Sequence, residues 1–80
     1  MQFVSAMDEK LAACYKETNL KRLRKYAGLS QSELAELSKV PLRQIQLFEQ
    51  RQRNINHTTA VTVLMLARAL GCGCEALLEI

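Results

Sequence analysis

At 80 residues the chain has room for one small domain and not for a second. Apolar residues make up 49% of it and charged residues 24%, ordinary globular usage that excludes a disordered chain. One proline and three glycines exclude a turn-rich β-sandwich, and eleven Lys+Arg against eight Asp+Glu leave a net charge of +3.

Taken in chain order, the pattern is one of short helices with tight joints. Ser5 is placed to cap a first helix that keeps Val4, Met7, Leu11 and Cys14 on one face. Thr18 or Asn19 starts a second, with Leu20 and Leu23 inward and its basic residues mostly outward, and Gly28 is placed to end it. Ser30 caps a third, and Glu33 three residues on completes a capping box. Val40-Pro41 opens a fourth, with the proline where a missing N–H does no harm. After the polar stretch 50–56, Asn56 is expected to cap a fifth helix running to Gly71, and a short last one covers about Cys74 to Glu79. With no Trp, two Phe and two Tyr, the core must be aliphatic.

Charge is concentrated mid-chain. Residues 19–54 hold Lys21, Arg22, Arg24, Lys25, Lys39, Arg43, Arg51 and Arg53 against Glu33, Glu36 and Glu49, while each flank is slightly acidic. A local basic excess of this kind favours a polyanionic partner.

Several chemistries find nothing to rest on. Cys14, Cys72 and Cys74 are odd in number and lack the paired spacing of a structural zinc site, so they read as small buried hydrophobes, and His57 stands alone. No Ser/His/Asp set, carboxylate pair or glycine-rich phosphate loop is present, so the expectation is a non-enzyme with no metal and no cofactor. The apolar run Val63 to Ala67 is far too short to span a bilayer, and Asp8 and Glu9 interrupt the place of a signal peptide. The expected setting is the reducing cytoplasm, with no membrane partner.

The informative stretch runs from Gln31 to Gln50. Small Ala35 sits where two helices can cross closely, and Leu34, Val40, Ile45 and Phe48 are spaced to bury the inner faces of two short helices joined by a tight turn. The outer face of the second helix, about 41–50, is left free, and a free helix in basic surroundings fits the DNA major groove.

Here the sequence resembles the helix-turn-helix domain of phage repressors and of the XRE family of bacterial regulators. The resemblance covers about Asn19 to Leu78. It is carried by Leu20-Lys21-Arg22-Leu23-Arg24, Ala27-Gly28-Leu29-Ser30-Gln31, Glu33-Leu34-Ala35-Glu36, Ile45 with Phe48-Glu49, and Leu66-Ala67-Arg68-Ala69-Leu70-Gly71. It implies an all-α fold: a compact five-helix repressor-like bundle over residues 19–80 containing the helix-turn-helix, plus an extra N-terminal helix over residues 1–18.

The function it implies is sequence-specific binding of double-stranded DNA by a transcriptional regulator. Leu42, Arg43, Gln44 and Leu47 take the base-reading positions. Gln31, Gln46, Arg51, Arg53 and Asn54 take phosphate positions, and Gln31 also braces the recognition helix. Arg24 and Glu49 take the positions of an internal ion pair. Lys39 and the Gln50-Arg51 step stand where the family usually has glycine, so a left-handed backbone is expected at Lys39. Leucines at two reading positions can touch thymine methyls but cannot form bidentate hydrogen bonds to a base edge.

A homodimer is expected through the fifth helix. Val63, Leu64, Leu66, Ala67 and Leu70 suffice to face the bundle, leaving Val61 and Met65, with Leu78 nearby, as a surplus apolar strip. Covering of that strip by the N-terminal helix is the alternative. Two other functions stay open: a protein-interaction module of antitoxin or adaptor type on the same fold, using Leu37, Leu42 and Leu47, and a DNA-anchoring domain of a longer effector-sensing protein.

Overall fold

The computed structural model describes residues 17–80, in which four α-helices and two single 3-10 turns follow one another and no strand occurs. The helices are α1 (Asn19–Tyr26), α2 (Gln31–Ser38), α3 (Leu42–Glu49) and α4 (Ala60–Leu70), and the 3-10 turns are Ile55–His57 and Cys74–Ala76. The helix expected over 1–18 lies outside the described residues.

Each helix start has a local cause. Thr18 accepts from the Lys21 N–H and so caps α1. Ser30 accepts from the Glu33 N–H while the Glu33 carboxylate accepts from the Ser30 N–H, so the capping box is complete at α2. Pro41 precedes α3, and its carbonyl takes the Gln44 and Ile45 amides. Thr59 accepts from the Thr62 N–H and caps α4.

The five-helix count needs two corrections. Asn56 does not cap a helix. Its side chain is drawn to the C-terminal tail, where Oδ1 accepts from the Glu79 N–H at 2.8 Å and Nδ2 donates to the Glu79 carbonyl at 3.0 Å. Asn54 caps the 3-10 turn instead, Thr58 and Thr59 stay extended, and the helix begins only at Ala60. The last segment is likewise a single 3-10 turn, because Gly73 offers it no side-chain cap.

Among the described residues ten side chains form one core: Leu20, Leu34, Val40, Ile45, Phe48, Ile55, Val63, Leu66, Ala67 and Leu77. α2 lies against both α3 and α4, so Leu34 is fully enclosed. Truncating Leu34, Ile45 or Leu66 to alanine costs about 2–5 kcal/mol, as much as a domain of this size commonly has in hand. On α4 the inward set differs from the expected one by one position. Leu64 is 40% exposed and Met65 packs partly against the core, so the outer apolar stripe is Val61 and Leu64. Consecutive residues lie about 100° apart around a helix, so both fall outside the arc of Val63, Leu66, Ala67 and Leu70, on opposite sides of it, and what packs against α4 decides which is covered.

The joint between α2 and α3 is a left-handed corner. Lys39 has φ +65°, and its N–H donates to the Ala35 carbonyl. The left-handed backbone expected there is present on a residue with a Cβ. A second occurs at Arg51, φ +60°, just past α3, so both corners bounding this helix lack the usual glycine.

Lys39→Gly should raise stability by up to about 1 kcal/mol, because relief of the left-handed strain exceeds the extra chain entropy lost. Urea melts of the two proteins provide the comparison, and a midpoint that does not rise would mean the lysine side chain contributes contacts that offset the strain.

Candidate nucleic-acid interface

The surface on offer is the outer side of α3 with the loop 50–54, and what holds it is a buried polar cluster. Glu49, on the last turn of α3, has a side chain 3% exposed, and Arg24 from α1 is 11% exposed. Arg24 Nε donates to Glu49 Oε2 at 2.7 Å and Nη2 donates to Oε1 at 3.0 Å, a bidentate pair. Gln31 Nε2, from the first residue of α2, donates to Oε1 at 3.0 Å. Arg24 Nη1 donates to the Leu29 carbonyl at 2.8 Å and closes the α1–α2 turn. One carboxylate thus collects donors from α1 and α2 and fixes α3 against both.

Ile45, Phe48 and the Glu49 carboxylate form the inner side of α3, which leaves its other side chains wholly or partly at the surface. Arg43 is exposed and has no hydrogen-bond partner among the described residues. Leu42, Gln44, Gln46 and Leu47 are half-buried. The loop folds back on the helix, since the amides of Gln52 and Arg53 both donate to the Leu47 carbonyl. Arg53 Nη1 then reaches Gln44 Oε1 at 3.4 Å.

The phosphate positions divide into engaged and open groups. One amide hydrogen of Gln31 is committed to Glu49. The Asn54 side chain accepts from the Asn56 N–H within its own turn. Arg51 Nη1 lies 3.4 Å from Glu79 Oε1 and so points to the C-terminal tail. The tail itself is secured by bonds with no signal in the local sequence. Glu79 Oε2 accepts from the Asn19 N–H at 2.6 Å, and Asn19 Nδ2 donates to the Leu78 carbonyl at 2.7 Å. Nothing short of tertiary structure pairs residues 60 apart. Lys25, on α1, donates to Glu17, and this hydrogen bond lowers the pKa of the Glu17 carboxyl.

Cys72 and Cys74 are half-buried free thiols packed against the core, and burial pushes the Cys72 thiol up, away from the thiolate that metals and electrophiles require. Among the described residues no three His, Cys, Asp or Glu side chains converge as a metal site, and no helix is long and apolar enough to cross a membrane.

These features, two short helices at a left-handed corner with the second braced and its outer face open, define a helix-turn-helix. The family model of helix-turn-helix domains matches residues 20–77, and the chain belongs to this XRE-type family of DNA-binding regulators. No significant match to a curated protein or to a solved structure was found.

Removing one partner from the buried pair strands the other charge, so Glu49→Ala should cost about 3–5 kcal/mol. A thermal melt followed by circular dichroism should show a largely unfolded variant at room temperature, whereas a loss below about 1 kcal/mol would mean that the pair does not hold the helices together.

Proposed function

We propose that the chain binds double-stranded DNA sequence-specifically as a transcriptional regulator, with α3 inserted in the major groove. Leu42, Arg43, Gln44 and Leu47 face the bases. Lys39 and the backbone N–H groups near the helix starts approach the phosphates, with Gln31, Gln46, Arg51 and Asn54 at the edge of that contact, and Arg53 lies between the phosphates and the base-reading face. The observation that carries the reading is the arrangement of α3, anchored on its inner side by a buried ion pair and carrying on its outer side an exposed arginine, Arg43, with no partner among the described residues.

A two-fold dimer through α4 sets two recognition helices about one turn of DNA apart, on the order of 34 Å. Support comes from the exposed stripe of Val61 and Leu64, 63% and 40% exposed, beside half-buried Met65 and Leu78. Such a stripe on a small domain commonly marks a contact. A second reading, an interaction module that contacts a protein, is favoured by Leu37 at 60% exposure on α2.

Salt separates the two. If a dimer neutralises about four phosphates, affinity for random duplex should fall about a hundredfold between 50 and 200 mM salt. Arg43→Ala should weaken a selected site by about 1–3 kcal/mol. Binding that ignores both salt and Arg43 would transfer the function to the interaction module.

Val61→Glu with Leu64→Glu should give a folded monomer by sedimentation, with half-sites no longer coupled and DNA affinity down at least tenfold. A parent chain that is monomeric at high micromolar concentration would end the dimer reading.

A further inference from the structure

Gln44 and Arg53 stand nine residues apart, one on the recognition helix and one on the loop beyond it, and the fold brings their side chains together. The approach is set by backbone. The Arg53 N–H donates to the Leu47 carbonyl at 3.2 Å, which turns the loop back over the last turn of α3. From there the guanidinium extends to Gln44, which shares the exposed stripe with Leu47, three residues on. Arg51, two residues earlier in the same loop, is directed to Glu79 instead. The two loop arginines therefore serve different places, and Arg53 belongs to the reading face.

We propose that Gln44 and Arg53 act as one specificity-determining unit that selects guanine in the major groove; the proposal rests on the DNA-binding reading above. A free glutamine amide offers one acceptor and two donors, the complement of adenine, which presents N7 as acceptor and N6 as donor. A guanidinium has donors only, so the atom of Gln44 that faces Arg53 is the amide oxygen. Arg53 takes one of that oxygen's two lone pairs and sets a cation beside the other, so the surface the pair shows the groove is dominated by N–H groups: the Gln44 amide nitrogen and the unused guanidinium nitrogens. Guanine, with acceptors at both N7 and O6, matches such a donor-rich surface best. Adenine N6 and cytosine N4 bring donors against donors and lose. The leucines at positions 42 and 47 form no hydrogen bonds to bases, so this pair and Arg43 supply the polar reading of the half-site.

The test uses the full chain and duplexes selected from a random pool, with each G·C pair of a half-site changed in turn to A·T. One position should prefer guanine over adenine by about tenfold. Arg53→Ala should reduce that preference to threefold or less by restoring the free Gln44 amide, and Gln44→Ala should reduce it similarly. The double variant should lose no more than either single one, because the two side chains act as a unit. Both residues are at the surface, and unchanged melting curves exclude a folding defect. If Arg53→Ala weakens the guanine and adenine duplexes by the same factor, Arg53 is a backbone contact and the proposal is overturned while DNA binding stands. If the parent selects no sequence yet binds random duplex in a salt-dependent way, the proposal is again overturned and the general reading survives. If the parent binds no duplex, both fall together.

Discussion

The Glu49 carboxylate is the point on which the arrangement depends. It is removed from water, and three N–H donors from two other helices replace its hydration. Desolvating an acid and an arginine is expensive, and hydrophobic side chains of similar size commonly hold helices as well or better. What the polar cluster adds is direction. A leucine contact tolerates a helix that slides or rotates by a few degrees, whereas a bidentate pair with a third donor is satisfied in one geometry only. Since Glu49 is on α3, the element thus oriented is the one whose outer face is left for a partner, and Arg24 carries the same constraint through Leu29 to the turn before α2.

Below that cluster the domain has little to spare. Among the described residues ten buried side chains, one of them aromatic, make a core whose larger members are each worth a sizeable part of the total stability. The C-terminal tail contributes by closing the structure on itself. Leu77 is fully buried, and Leu78 and Glu79 are tied to Asn19 and Asn56. The start of α1, the turn after α3 and the chain end are thereby joined, which reduces fraying where a short domain is weakest.

What was legible in the sequence was what local chemistry dictates. Ser30 and Glu33 announce a helix start because the two groups satisfy each other within one turn. Gly28 ends α1 with φ +75° because no other residue does so as cheaply. The inner positions Leu34, Val40, Ile45 and Phe48 follow from spacing alone. Asn56 shows where local reasoning fails. Its capping propensity is real, but the tail 23 residues later offers it two backbone partners at once, and the helix start moves to Thr59. Leu64 and Met65 fail for a different reason, since neighbours at the edge of a buried arc are separated by packing and not by pattern. The site divides the same way. Resemblance placed the residues on α3, but the meeting of Gln44 with Arg53 and the turning of Arg51 toward Glu79 depend on how the loop folds.

The two left-handed corners suggest why this chain departs from glycine at both ends of α3. Glycine would adopt φ near +60° without a Cβ penalty, so Lys39 and Arg51 are strained choices by conformation alone. Each is a cation, however, and in the docking proposed above the two corners flank the helix that enters the groove, near the phosphate backbone. At the first corner the lysine is exposed and its charge is available to a polyanion. At the second, the arginine helps anchor the tail through Glu79. A glycine could do neither. The strain of about 1 kcal/mol at each corner is therefore set against a charge placed at a position the backbone itself holds fixed. In a domain with so small a core, that strain is tolerable only because the buried cluster at Glu49 already determines where α3 lies.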